Sequence, residues 1–149
     1  MTQQTTVKVS QQIALLIESL RGLGWSEDEL AELAKRKNGL PKDNSVFEFD
    51  YEELAVFAAG EPEIYESAVR KGYQIKFNTL GGLRSWLYVA FGMEPHIDRR
   101  PGLEGVTAIL TNAQLERLET ALSFGWRIEK IGESLDEGKA TYRLEPIQR

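Results

Sequence analysis

The only histidine of the chain, His96, stands in Glu94-Pro95-His96-Ile97-Asp98. In an extended segment Glu94, His96 and Asp98 would point the same way, an arrangement that suits a hard or borderline cation. A firm metal site usually carries more nitrogen or sulfur ligands. With one histidine and no cysteine, the expectation is no metal and no cofactor. A Ser-His-Asp hydrolase would need the same His96, and no serine sits in a Gly-x-Ser-x-Gly elbow. The 23 acids offer many carboxylate pairs for acid–base chemistry but no spacing that singles one out. Asn78-Thr79-Leu80-Gly81-Gly82 lies between a strand-like and a helix-like stretch. Backbone N–H groups at such a helix start attract anions, and paired glycines permit close approach. Lys76 and Arg84 could assist a bound nucleotide or other anion there. The stretch matches neither Gly-x-Gly-x-x-Gly nor the Walker A pattern. The chain therefore reads as a protein without catalytic equipment.

Two nucleic-acid readings deserve weighing. Lys71-Gly72-Tyr73-Gln74-Ile75-Lys76-Phe77 approaches the RNA-recognition strand motif, but it is one residue short and lacks the small residue after the first aromatic. Helices over 11–23 and 26–37 suggest the first two of a helix-turn-helix with Gly24 in the turn. The segment that follows, Asp43 to Glu53, is acidic, and a phosphate backbone would repel it. What stays open is a nucleic-acid-binding regulator using the basic rim Lys71, Lys76, Arg84, Arg99 and Arg100, with Thr79, Gly81 and Gly82 as the anion turn.

These residues need elements to hold them. Residues 1–9 read as frayed. Ser10 can cap a helix carrying Ile13, Leu16, Ile17 and Leu20, which Gly22 and Gly24 end. Ser26 with Glu29 forms a capping box for a helix to about Lys37, stopped by Asn38, Gly39 and Pro41. Val46 to Phe49 could be a short strand. Asp50 with Glu53 opens a helix to about Ala59, and Pro62 opens another that ends at Gly72. Tyr73, Ile75 and Phe77 alternate with polar residues, which predicts a strand with one buried face. Thr79 or Asn78 caps a helix ended by Gly92, and residues 92–105 form a loop. Val106 to Leu110 predicts a strand, Thr111 with Gln114 caps a helix ended by Gly125, and Trp126 to Ile131 and Lys139 to Glu145 predict two further strands. Gly72–Gly92 and Gly105–Gly125 share length and layout but few identities, so they are similar building blocks and not a repeat. The fold class is α+β: N-terminal helices packed on a small mixed sheet of β-α-β-α-β-β order. It forms a single domain over 1–149, with a helical section over 10–71 and an α/β section over 72–149.

A single domain suits the 149 residues, enough to bury roughly 68–70% of the unfolded chain's surface. The absence of cysteine excludes disulfides, thiolate-ligated clusters and a thiol nucleophile. No apolar signal core opens the chain, and no run reaches the ~18 residues of a membrane span. The expectation is a cytoplasmic protein without membrane contact. Charge divides along the chain: residues 1–70 carry 7 basic and 13 acidic side chains, residues 71–149 carry 11 and 10. Asp43 to Glu66 holds eight acids and no base. Such polarity can bias a partner's approach.

Ile17-Glu18-Ser19-Leu20-Arg21-Gly22-Leu23-Gly24, Phe49-Asp50-Tyr51-Glu52-Glu53-Leu54-Ala55 and Gly72-Tyr73 together resemble small uncharacterised proteins carried by phages and prophages of Gram-positive bacteria. The pattern there is an Ile-Glu-x-Leu-Arg helix, an acidic Leu-Ala helix and a Gly-Tyr, and it covers the first half of this chain. The resemblance implies a genomic setting in which accessory proteins act by binding host machinery. It supports a non-catalytic inhibitor of a host protein or protein–nucleic acid complex, such as a nuclease or defence assembly, acting in the manner of anti-CRISPR or anti-restriction proteins. Asp50, Glu52, Glu53, Glu61, Glu63 and Glu66 would occupy a basic groove meant for nucleic acid. A homodimer stays open.

Overall fold

The computed structural model describes residues 6–33, 49–134 and 138–147. It is an α+β fold of six helices and six strands over those residues. The helices begin where local chemistry places them. Ser10 accepts from the Ile13 N–H at 3.1 Å and opens α1 (Gln11–Gly22), whose Leu16, Ile17 and Leu20 are buried. Ser26 and Glu29 close a reciprocal capping box on α2 (Glu27–Ala31). Asp50 caps α3 (Tyr51–Gly60) from one side only: its carboxylate accepts from Glu52 N–H, while Glu53 N–H goes to the Asp50 carbonyl. Pro62 starts α4 (Pro62–Lys71), where its missing N–H costs nothing. Gly72 then turns the chain at φ 98°, a conformation that glycine adopts without a Cβ penalty. The helix expected to reach Lys37 already ends as an α-helix at Ala31, with Glu32 at its C-cap; residues 34–37, and most of the strand expected over Val46 to Phe49, lie outside the described residues.

The strands differ in detail from a single mixed sheet. The first of them, β1 (Val7–Val9), lies in the segment expected to be frayed. It pairs in parallel with β2 (Tyr73–Ile75), and Lys76 N–H extends the ladder to the Val9 carbonyl at 2.8 Å. Val9 is buried by this pairing, which supplies the partner that a three-residue strand needs. The alternation expected through Phe77 stops at Ile75. Tyr73 and Ile75 are buried, whereas Phe77 is 70% exposed. Thr79 caps α5 (Leu80–Phe91), and Gly92 ends it in the left-handed region.

The segment 92–105, expected to be a loop, contains β3 (His96–Asp98), paired antiparallel with β4 (Gly105–Thr111). After α6 (Asn112–Ala121), capped by a Thr111–Gln114 box, come β5 (Trp126–Glu133) and β6 (Lys139–Pro146). These strands form an antiparallel sheet in the order β3-β4-β6-β5. Its edge strand β5 carries Arg127, Glu129, Lys130 and Glu133 and a register shift between Lys130 and Gly132, features that hinder pairing with another chain. One apolar cluster joins both halves, with Leu16, Ile17, Leu54, Trp86, Leu110 and Leu144 among its members. Among the described residues no helix is long and apolar enough to cross a membrane.

Candidate functional site

A groove of about 680 Å³ opens where the β2–α5 junction meets the α6–β5 turn. Its size lies within the range of roughly 300–1,000 Å³ common for ligand sites. Three hydrogen bonds stitch the two segments together. Asn78 Oδ1 accepts from Ser123 N–H at 2.9 Å, the Asn78 carbonyl accepts from Trp126 Nε1 at 3.2 Å, and Gln74 Nε2 donates to the Leu122 carbonyl at 3.1 Å. With the backbone held this way, Asn78 is drawn inward and Phe77 is turned out. Phe77 and Phe124 stand on the rim at 70% and 76% exposure, and Ile147 joins them. Lys76 lines the same groove, and the Lys8 ammonium lies 4.8 Å from the centre of the Phe124 ring. Asn78 is 2% exposed, and its Nδ2 donor has no partner among the described residues.

The anion turn is arranged differently from the sequence expectation. Gln11, at the start of α1, lays its carboxamide over Gly82, and a Cβ on that glycine would come within 2.0 Å of it. Gln11 Oε1 accepts from Thr79 N–H at 3.0 Å, and Thr79 Oγ1 accepts from Gly82 N–H at 3.0 Å. Two of the donors at this helix start are therefore answered by the chain itself. Gly81 faces the Arg99 guanidinium, and Arg84 is exposed along α5. Arg100 is directed at Asp98, with Nη2 2.7 Å and Nε 3.0 Å from the carboxylate. That contact holds the Asp98 carboxyl well below the usual carboxylate range. Lys71 lines a separate recess with Glu63, Glu66 and Arg70. The basic rim is thus divided: Lys76 belongs to the aromatic groove, Arg99 to the start of α5, and Lys71 to neither. His96 is exposed on β3 opposite Thr107, and among the described residues no three His, Cys, Asp or Glu side chains gather where a metal ion could be held.

The acids fall into two groups by element: Asp50, Glu52 and Glu53 at the start of α3, and Glu61, Glu63 and Glu66 at the start of α4 and along it, and all are exposed. Arg70 moderates the second group, 3.0 Å from Asp28 and 3.9 Å from Glu66. Asp43 and Glu48 lie outside the described residues.

Sequence reasoning did not single out a buried polar cluster around Glu18, a carboxylate 1% exposed. Its Oε2 accepts from Arg21 Nη1 at 3.1 Å, from the Tyr73 hydroxyl at 2.6 Å and from Arg117 Nη2. Tyr73 in turn accepts from Trp86 Nε1 at 2.8 Å, and the Arg117 guanidinium lies 5.7 Å from the Trp86 ring centre. Arg21 Nη2 also donates to the Val69 carbonyl at 2.9 Å. One residue or more from α1, β2, α5 and α6 meets here. Beside it, Ser19 Oγ and the Tyr51 hydroxyl are 2.5 Å apart. The stretches 17–24, 49–55 and 72–73 contribute Glu18, Ser19 and Arg21, then Tyr51, then Tyr73, so they converge on buried and half-buried contacts. A signal was present: Glu18 and Arg21 are three apart on a helix whose other inward positions are apolar.

Burial is the main cause that pushes the Tyr73 phenol well above its ordinary 10, and the neighbouring Glu18 carboxylate adds to it. Burial also raises Tyr65, whose hydroxyl donates to the Leu30 carbonyl at 2.5 Å. Raised folded-state values mean that both phenols stay neutral after those of the unfolded chain begin to ionise. The associated stability is present below about pH 10 and is lost as pH rises from there towards the folded values. Urea midpoints measured from about pH 8 to 11.5 should therefore be level at first and fall above about 10. Tyr65→Phe should make that fall shallower. A level midpoint throughout would contradict the assignment.

Comparison with protein-family models, with curated proteins and with solved structures gives no match.

Proposed function

We propose that this chain is a non-catalytic binding protein that docks on a macromolecular partner through the aromatic groove, in the role of a phage-type accessory protein that inhibits a host nuclease or defence complex. The observation that carries the reading is the pair Phe77 and Phe124, both more than two-thirds exposed on the rim of one groove. Exposed apolar side chains scattered singly are ordinary, but grouped around a concavity they mark interaction sites. Full burial of one phenylalanine is worth about 1.5–3 kcal/mol, so the pair can supply the centre of an interface. Among the described residues the groove lining holds one carboxylate, Glu104, and one hydroxyl, Ser123, with no histidine beside them, which suits binding better than bond cleavage. No residue of α3 or α4 lines the groove. The exposed acids of those helices would act on approach, towards a basic surface of the same partner, with an effect that salt weakens.

The test is capture of a partner from host lysate by the wild-type chain and by the Phe77→Ser/Phe124→Ser double variant. Loss of two central apolar anchors should weaken capture by about 100-fold or more, at a few kcal/mol for the pair. The melting temperature should stay within a few degrees, because neither ring is buried. Capture at the wild-type level by a folded double variant would remove the groove from consideration.

A further inference from the structure

We infer that the segment the groove receives is an acidic peptide with an aromatic or apolar anchor, a conclusion that rests on the groove being the docking surface. The chain carries a net charge of −5, yet among the described residues that line this groove the cations, Lys8 and Lys76, outnumber the anion, Glu104. Lys8 and Lys76 face into it with exposed ammonium groups, and the opposing Glu104 already accepts from Gly102 N–H at 2.5 Å. A local excess of cations on an acidic protein selects a partner segment of negative charge. Asn78 adds a second requirement. Asn78 is 2% exposed and fixed through Oδ1 by Ser123 N–H, and its Nδ2 donor has no acceptor among the described residues. Buried polar groups are nearly always paired; Nδ2 is closed to solvent here, so a peptide carbonyl or a carboxylate meets that need once the Asn78 side chain yields to admit it. Phe77, Phe124 and Ile147 provide the apolar contact for the anchor.

The same rings could in principle stack on nucleobases. The position of Lys8 argues against it. Its ammonium lies over the Phe124 ring at 4.8 Å, so a base stacking on that face would have to displace the cation. A carboxylate would pair with Lys8 where it stands and leave the ring edge free for an apolar side chain.

The experiment is an NMR titration of the full chain with four probes: blocked Asp-Asp-Trp-Glu, the same peptide with Ala for Trp, blocked Lys-Lys-Trp-Lys, and oligo(dT). The acidic tryptophan peptide should shift the Asn78 side-chain amide. It should bind about 10-fold more tightly than the alanine and the basic peptides, and more tightly than oligo(dT). The Lys8→Glu/Lys76→Glu variant should weaken it by at least about 10-fold, a change of about 1.4 kcal/mol. Equal binding of the basic peptide, tighter binding of oligo(dT), or an unaffected lysine variant would overturn the inference. The two levels of failure are separable. If the lysine variant still captures the lysate partner while the phenylalanine variant does not, the groove remains the docking surface and only the acidic occupant is wrong. If the phenylalanine variant captures normally, the docking surface itself is wrong.

Discussion

Glu18→Ala should destabilise the fold by about 3–5 kcal/mol, the usual cost of removing one member of a buried charge cluster. The substitution deletes the common acceptor of Arg21, Tyr73 and Arg117 at once. Arg21 keeps the Val69 carbonyl. Arg117 has no such second acceptor among the described residues, and its side chain, 35% exposed, would hold its charge only partly solvated against Trp86. Burial tends to lower the Arg117 pKa, yet the hydrogen bond to Glu18 and its charge outweigh this and raise it. In the variant those two causes are gone, but an arginine side chain does not deprotonate in proteins, so the guanidinium stays ionised and cannot relieve the loss. Glu18→Gln keeps an acceptor oxygen and removes the charge, so its cost should be smaller than that of alanine. Urea unfolding of the three proteins at neutral pH checks the order. A loss under about 1 kcal/mol for Glu18→Ala would mean that water reaches the cluster and screens it as it does a surface pair.

Trp86→Ala should cost a similar about 3–5 kcal/mol for a different reason. The indole is fully buried, meets Phe91 edge-on with centroids 5.2 Å apart, and donates to Tyr73. Its removal opens a cavity in the middle of α5 and takes a donor from the Glu18 cluster. Trp86→Phe restores most of the volume and isolates the lost hydrogen bond, which should account for about 1 kcal/mol. Because Trp86 reaches Glu18 through Tyr73, the two large effects should not add. A double-mutant cycle between Glu18→Ala and Trp86→Ala should show a coupling above about 0.5 kcal/mol. Additive losses would show that Tyr73 does not connect them.

Much of the fold was legible because much of it is local. Ser10, Ser26 with Glu29, Thr111 with Gln114, and Thr79 of the two candidates Thr79 and Asn78, cap the helices expected, and each acts on a backbone N–H three residues away. The expectations that failed concern short strands and side-chain direction. Three residues are too few to display a period, so Val7–Val9 and His96–Asp98 carried no strand signal of their own. Phe77 continued an alternating pattern in sequence, but the Asn78 bond to Ser123 turns the chain before the pattern is complete. Gly82 did mark a close approach, that of Gln11, from a distant part of the chain.

The sequence by itself determined the α+β class, the helix starts and the absence of thiol chemistry, since these depend on residue types and on contacts within one turn. Only the tertiary structure decided the groove and the Glu18 cluster. Asn78 meets Ser123 across 45 residues, and Glu18 meets Arg117 across 99. Contacts at such separations leave no spacing rule in the chain, because the path between them is set by the packing of every intervening element. A lone acid in an apolar helix and a phenylalanine beside a strand thus take their roles from partners that the fold brings to them.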